Sequence, residues 1–201
     1  MLSLAGFPAA EVARKLGGGL LAFDEQILAI CSQTDPLAML RLIANIRPDL
    51  TEAADGRLAE LEMEAIRVSQ PNADGKSVLQ ACSRSGRLVS EVSNNATVAI
   101  EAYLSGGGLR DLVTGVFGGT PGDPSSMKPN PRLLLEAMEA VETRPHECGF
   151  IGDAVRDVEA GNAASVPTIG YANKPGKDSR LAAVGAVLVA DSMQLIADGL
   201  I

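Results

Sequence analysis

The spacing of apolar residues divides the chain into two parts with different predicted structures. From Pro8 to about Gln70 the apolar positions recur at helical spacing, and Asp35 followed by Pro36 is typical of the start of a helix. The linker SQPNADGK then interrupts this pattern with proline and glycine. We therefore predict a helical subdomain over residues 1–72.

After this linker, short apolar runs alternate with helical stretches. Such alternation predicts an α/β fold over residues 73–201, with a Rossmann-like parallel sheet covered by helices on both faces. In sheets of this kind ligands bind beyond the carboxyl ends of the strands, so polar residues that follow a strand are candidate site residues. The predicted strands cover 87–92, 113–117, 148–152, 166–171 and 187–189, and the predicted helices cover 95–105, 131–142, 155–164, 177–184 and a closing segment.

Composition and charge remove several classes of protein from consideration. The 201 residues are 46% hydrophobic and 21% charged, which suits a packed core, and the formal net charge is −8. Because there is no block of lysine and arginine, we expect neither nucleic acid nor an anionic membrane as a partner. The three cysteines are widely spaced and no apolar run is long enough for a bilayer span, so a cytoplasmic protein is predicted.

The first candidate site residues are Ser93 and Asn94. Ser93 closes the predicted strand 87–92, and Asn94 opens the next predicted helix. A hydroxyl and free backbone N–H groups at a helix N-terminus form an anion site, so both residues are candidates for binding phosphate. The alternative is that one of these side chains only caps the helix.

The second candidate is Lys128, in the stretch MKPNP. Pro129 favours extended backbone at the lysine, and Asn130 is placed to cap a helix that starts at Pro131. A lysine held on such a loop can direct its ammonium group at a phosphate. The alternative is an exposed surface lysine beside a helix cap.

The third candidate is the acid pair in FIGDAVRDVEAG. Asp153 follows the predicted strand 148–152, and Asp157 falls in the first turn of the next helix, so both carboxylates can face one small volume. Mg²⁺ prefers one or two carboxylates together with waters and a substrate phosphate, which this pair can supply. The alternative is that both acids only complement the helix dipole.

The order of these signals along the chain resembles the haloacid dehalogenase-like (HAD) superfamily of Mg²⁺-dependent phosphohydrolases, in its phosphoglycolate-phosphatase-like branch with a helical cap. The resemblance implies that Ser93, Asn94 and Lys128 bind the phosphoryl group of a small phosphorylated metabolite, and that Ser93 and Lys128 also act in catalysis. It implies that Asp153 and Asp157 hold or orient Mg²⁺, and that residues 1–72 form the cap. The stretch GYANKPGK is expected at the rim of the site, without an assigned role.

One part of the family pattern is not found, the Asp-x-Asp motif whose first carboxylate attacks phosphorus. We expect this motif and its strand to lie before Met1, which leaves the central position between strands 87–92 and 148–152 without a strand. The chain as written is then predicted not to turn over phosphate esters. The alternative nucleophile is Asp24, at the end of an apolar run, but Gln26 occupies the place of the second acid.

Two other functions compete with a phosphatase. One is a catalytically inactive module that binds phosphate or regulates a partner, and the other is dehalogenation, which does not need a Mg²⁺ site. The single histidine, His146, precedes strand 148–152 and is therefore expected at the end of the sheet opposite the site, without a catalytic role.

Overall fold

A computed structural model describes residues 8–20, 30, 32–69 and 73–200. The described residues before position 70 form three helices, α1 (Ala9–Leu20), α2 (Pro36–Ile46) and α3 (Thr51–Val68). Helix α2 begins where predicted, because the Asp35 side chain accepts hydrogen bonds from the first free N–H groups of the helix. The three helices pack around one apolar cluster, whose largest fully buried members include Leu16, Ile30, Met39, Leu40, Ile43 and Leu61.

The rest of the chain alternates helices and strands as predicted. The elements are α4 (Ala73–Arg84), β1 (Ser90–Ala96), α5 (Thr97–Gly106), β2 (Gly115–Gly119), α6 (Arg132–Ala140), β3 (Phe150–Gly152), α7 (Val155–Ala163), β4 (Thr168–Tyr171), α8 (Lys177–Ala183), β5 (Leu188–Ala190) and α9 (Met193–Asp198). The α/β fold with a parallel sheet is thus confirmed, and the division at residue 72 stays a prediction. None of the helices in the described part of the chain is long and apolar enough to cross a membrane.

The sheet consists of two separate parallel halves. Strand β1 pairs with β2, and β4 pairs with β3 on one side and β5 on the other. Among the described residues no strand joins β1 to β3.

Helices on both faces span the two half-sheets. On one face α6 and α7 share a cluster with Val92 and Phe117 of the first half and Phe150 of the second. On the other face α4 and α9 share a cluster with Val89, just before β1, and with Ile151 of β3. Apolar packing therefore connects the two halves, and within the described residues no backbone pairing joins them.

One predicted boundary is wrong in a way that affects the site. The helix expected from residue 95 begins at Thr97, because strand β1 continues to Ala96. The polar groups of this extension are satisfied elsewhere, since the Ala96 N–H donates to the Glu62 carboxylate. The β1–β2 register also shifts between Val92 and Ala96, where β2 is glycine: a Cβ at Gly119 would lie 2.8 Å from the Asn94 carbonyl oxygen. The other predicted strands and helices are confirmed with boundaries shifted by at most three residues. Helix α4 was not predicted, and it begins at Ala73, within the predicted linker SQPNADGK.

Candidate active site

Asp157 is fixed by the turn that joins β3 to α7. One of its carboxylate oxygens, Oδ2, accepts from the N–H groups of Asp153 at 3.1 Å and Ala154 at 3.0 Å. Gly152 makes this approach possible, because a Cβ at that position would lie 2.3 Å from the Asp157 Cβ. The Asp157 side chain is buried, and the local sequence Gly-Asp-x-x-x-Asp fixes its position.

Lys128 provides the positive charge opposite Asp157. Its Nζ lies 2.9 Å from Asp157 Oδ1 and donates to the Val92 carbonyl of β1 at 3.0 Å. The ammonium also lies 5.4 Å from the centroid of the Phe150 ring, within range of a cation–π interaction. Lys128 is only 8% exposed, so the alternative of a solvated surface lysine is wrong.

Asn94 and Arg41 hold the backbone of Lys128. The Lys128 N–H donates to Asn94 Oδ1 at 2.8 Å, and the Asn94 amide donates to the Lys128 carbonyl at 3.3 Å. Arg41, on helix α2, donates to the same carbonyl at 2.8 Å. The side-chain amide of Asn94 is therefore used to position the lysine, and its contact with substrate stays a prediction.

Ser93 lies near the end of β1, half-buried, and its Oγ accepts from the Asn95 N–H at 3.3 Å. The residue that precedes helix α5 is Ala96, with no side-chain cap. The alternative that Ser93 or Asn94 caps this helix is therefore wrong, and no acceptor for the Ser93 hydroxyl proton is found among the described residues.

Asp153 has partners that the sequence reading did not assign. Its Oδ2 accepts from Asn173 Nδ2 at 3.1 Å and from Lys177 Nζ at 2.5 Å. Both donors belong to GYANKPGK, which follows β4 at the same edge of the sheet as the acid pair. Gly176, at φ 75°, provides the left-handed turn that starts α8 at Lys177. Asn173 and Lys177 could have been predicted as site residues from the sequence, because the loop that holds them follows a parallel strand.

The donor set fits Mg²⁺ with unequal roles for the two acids. Both oxygens of Asp157 are engaged by Lys128 and by backbone N–H groups, which suits a group that orients the site. Asp153 Oδ1 has no protein partner among the described residues, so it is the oxygen suited to bind the metal. Within the described part of the chain no cluster of three acidic, cysteine or histidine side chains is present.

One cavity of about 1220 Å³, between the halves of the sheet, is lined by the polar residues Ser93, Asn94, Lys128, Asp153, Asp157 and Lys177. The predicted convergence of Ser93, Lys128 and Asp153, with Asp157 beside them, is confirmed as geometry, while their roles stay predictions. His146 is exposed at the amino end of β3, the expected side. The alternative nucleophile Asp24 lies outside the described residues.

The helical part contacts the core beside this site. Arg156 of α7 forms an ion pair with Asp35 at 3.1 Å, and Glu62 of α3 accepts from the Ala96 N–H at 2.8 Å. Burial raises the pKa of Glu62 to about 7, against the lowering effect of the Ala96 hydrogen bond and with a smaller raising effect of Asp55. Burial, with the charge of Arg156, lowers the pKa of Arg41.

The chain belongs to the haloacid dehalogenase-like hydrolases, a family that matches residues 6–165. It is 31% identical to a phosphoglycolate phosphatase of Xylella fastidiosa (strain Temecula1) over 64% of this chain and 58% of that protein. It is 30% identical to a phosphoglycolate phosphatase of Psychrobacter arcticus over 56% of this chain and 48% of that protein. The matched stretches thus span about half the length of these relatives.

Solved structures share the fold. A predicted phosphatase from Clostridium acetobutylicum superposes with a TM-score of 0.74 at 16% identity, covering 96% of this chain and 91% of that chain. A predicted phosphoglycolate phosphatase from Haemophilus somnus gives 0.68 at 16% identity, covering 98% and 91%. At 16% identity these likenesses show a shared fold alone.

Proposed function

We propose that this protein is a Mg²⁺-dependent phosphatase that hydrolyses a small phosphorylated metabolite. The observation that carries the proposal is the buried ion pair between Lys128 and Asp157, next to Asp153, at the end of a parallel sheet where ligands bind. Family membership supports hydrolysis, and the named activity of the Xylella and Psychrobacter relatives supports a phosphate monoester as substrate. A cytoplasmic location is part of the same proposal.

Each described side chain has a defined task in this proposal. The Lys128 ammonium neutralises charge on the transferred phosphoryl group, and the Ser93 hydroxyl donates a hydrogen bond to one of its oxygens. Asp153 Oδ1 binds Mg²⁺, and Asp157 keeps the lysine and the Asp153 backbone in place. When bound, Mg²⁺ neutralises negative charge on the phosphoryl oxygens.

The attacking group is proposed to be a carboxylate outside the described residues. One of its oxygens forms a bond to phosphorus while the ester oxygen leaves and takes a proton from an acid. Water then attacks the phosphorus of the acyl phosphate, which releases inorganic phosphate and restores the carboxylate. Ser93 is not proposed as the attacking group, because no base among the described residues contacts its hydroxyl.

The first test measures binding, which does not need the attacking group. Inorganic phosphate titrated into the protein with Mg²⁺ should give heat in a calorimeter, and Lys128→Met should abolish it. Asp153→Asn should remove the Mg²⁺ dependence, whereas Asp178→Asn, an exposed acid on α8, should change nothing. Absence of Mg²⁺-dependent phosphate binding in the unaltered protein would contradict the proposal.

The second test locates the attacking carboxylate. Hydrolysis of an aryl phosphate is compared for the chain as given and for a form carrying an additional N-terminal apolar strand that ends in Asp-x-Asp. Mg²⁺-dependent turnover only in the extended form would place the attacking carboxylate in the added strand. Equal turnover by both forms that Asp24→Asn abolishes would assign the role to Asp24. Phosphate binding without turnover in either form would favour a binding module.

A further inference from the structure

Each acid of the candidate site faces one lysine. Lys128 Nζ lies 2.9 Å from Asp157 Oδ1, and Lys177 Nζ lies 2.5 Å from Asp153 Oδ2. Both lysines line the same cavity as the acids, and the side chain of Lys177 is only 17% exposed. The proposed phosphoryl transfer uses the first pair and gives Lys177 no task, although its charge lies beside the carboxylate that is suited to the metal.

A tightly packed element holds Lys177 in this position. Helix α8 begins at Lys177, after the left-handed turn at Gly176, and packs against strand β4 through Leu181, which is 1% exposed. The approach is close, because a Cβ at Gly170 of β4 would lie 3.1 Å from the Leu181 Cβ. The start of the helix, and with it the lysine, is therefore fixed relative to the end of the sheet.

The local structure does not favour a lysine at this place. The first turn of a helix has a partial positive charge, so a cation there is less stable than a neutral or acidic residue. The charge of Lys177 is compensated instead by Asp153, which lies 24 positions away in the chain. Asn173 donates to the same oxygen, Oδ2, at 3.1 Å, so the two donors orient the carboxylate and leave Oδ1 as the oxygen suited to a metal.

The position of this ammonium has opposite consequences for cations and anions. A positive charge beside Asp153 repels a second cation at the same carboxylate and attracts an anion in the cavity. The side chain of Asp153 is 9% exposed, so water and salt screen both interactions only in part. Lys177 should therefore weaken the binding of a divalent metal and strengthen the binding of phosphate.

We propose that Lys177 is a positioning residue that sets the balance between metal and phosphate binding in this site. It acts through Asp153, whose carboxylate it orients and whose negative charge it offsets. The inference rests on the proposed function, in which Asp153 binds the metal and the phosphoryl group binds beside Lys128. A residue with a merely structural role would support both ligands alike, so the signs of the two effects distinguish the roles.

The test measures the two ligands separately, with the full chain. The probes are Mn²⁺ alone, whose free ion is quantified by electron paramagnetic resonance, and inorganic phosphate, titrated in a calorimeter at a saturating concentration of Mg²⁺. Lys177→Met should raise the affinity for Mn²⁺ about tenfold and lower the affinity for phosphate about tenfold. A fall in both affinities would show a structural role, and no change in either would show that the lysine has no influence.

Two matched variants separate the charge of Lys177 from its other effects. Lys174→Met removes the same charge from an exposed position of the same loop, and should change either affinity by less than about twofold. Lys177→Arg keeps the charge in place, and should leave both affinities within about threefold of the unaltered protein. If Lys177→Arg shifts both affinities as Lys177→Met does, the charge is not the cause and the proposal is wrong.

Nuclear magnetic resonance of the unaltered protein keeps the proposal testable if Lys177→Met fails to fold. The Nζ resonance of Lys177 should shift on addition of Mg²⁺ and again on addition of phosphate, whereas the Nζ resonance of Lys174 should stay in place. A Lys177 resonance that responds to neither ligand would overturn the proposal.

The outcome also separates this inference from the function on which it rests. If the unaltered protein binds neither Mn²⁺ nor phosphate, the proposed phosphatase function is contradicted and the inference falls with it. If the unaltered protein binds both ligands and Lys177→Met does not shift the two affinities in opposite directions, only the role of Lys177 is overturned.

Discussion

The two half-sheets present their polar groups in different ways. In the β3–β5 half the acids are fixed by nearby elements: Asp157 by the turn after β3, and Asp153 by the loop after β4. In the β1–β2 half the polar groups are fixed by distant segments, since Asn94 contacts Lys128 and Ala96 contacts Glu62 of α3. Asp157 is therefore placed by the sequence of one turn, whereas Asn94 and the Ala96 N–H depend on residues 34 positions away in the chain.

Replacement of Lys128 should have the largest effect, because its ammonium joins the two halves. Lys128→Met leaves the buried Asp157 charge without its ion pair, which should cost about 3–5 kcal/mol in the free energy of unfolding. Urea denaturation measures the change. The control Arg132→Met breaks exposed pairs with Glu136 and Asp123 and should cost less than about 1 kcal/mol for each. An equal loss in the free energy of unfolding for the two variants would show that the ion pair between Lys128 and Asp157 does not stabilise the fold.

The Glu62 contact should make stability depend on pH. The pKa of Glu62 is raised from 4.5 to about 7 in the folded protein. Its contribution is fully present below pH 4.5 and is lost as the pH rises through 7, a change of about 3 kcal/mol. Glu62→Gln, whose amide oxygen can still accept from Ala96, should remove this part of the pH dependence in urea titrations.

The control for that prediction lies on the same helix. Glu64 is a partly exposed acid that pairs with Lys15 and Arg57, so Glu64→Gln separates the loss of any one carboxylate on this helix from the loss of the buried carboxyl of Glu62. If Glu62→Gln and the unaltered protein have parallel stability curves between pH 4.5 and 8, the raised pKa of Glu62 is refuted.

Replacement of Gly152 tests how tightly the turn between β3 and α7 is packed. A Cβ there overlaps the Asp157 side chain, so Gly152→Ala should displace this acid and cost about 1–3 kcal/mol. Gly149→Ala provides the comparison, because no atom lies within 4 Å of a Cβ at that position. Thermal unfolding of both variants gives the difference, and a Gly152→Ala protein as stable as Gly149→Ala would mean that the turn relaxes easily.

Asn94 should show the smallest effect on stability. Asn94→Ala removes two hydrogen bonds with the Lys128 backbone, at a cost of about 1–2 kcal/mol, and should weaken phosphate binding because the lysine is less well placed. Asn162→Ala removes an exposed bond to the Val184 carbonyl in the other half, and should leave phosphate binding unchanged. Calorimetry with phosphate and Mg²⁺ distinguishes the two.

The same contrast explains what could be predicted from the sequence. The acid pair was found because its geometry depends on one strand end and one helix start, which are both encoded within a few residues. The helix capped by Asp35 was found for the same reason. The extension of β1 to Ala96 was missed, because its N–H is satisfied by Glu62, which lies 34 positions away in the chain. The stretch GYANKPGK was expected at the rim of the site, but the contact of its Lys177 with Asp153 was missed because it depends on the path of that loop.

The hydrogen bond from Arg41 to the Lys128 carbonyl has a consequence for how the lysine is held when the helices move. Arg41 lies on a helix above the cavity, and the lysine it holds lies within it. If the helices move apart to admit a substrate, this bond must break or the lysine must follow. In the first case the lysine is still held by Asn94 and by Asp157, and in the second it moves together with helix α2. The Lys128 carbonyl thus has two donors while the helices are together, and the Asn94 amide is the one that remains if α2 moves away.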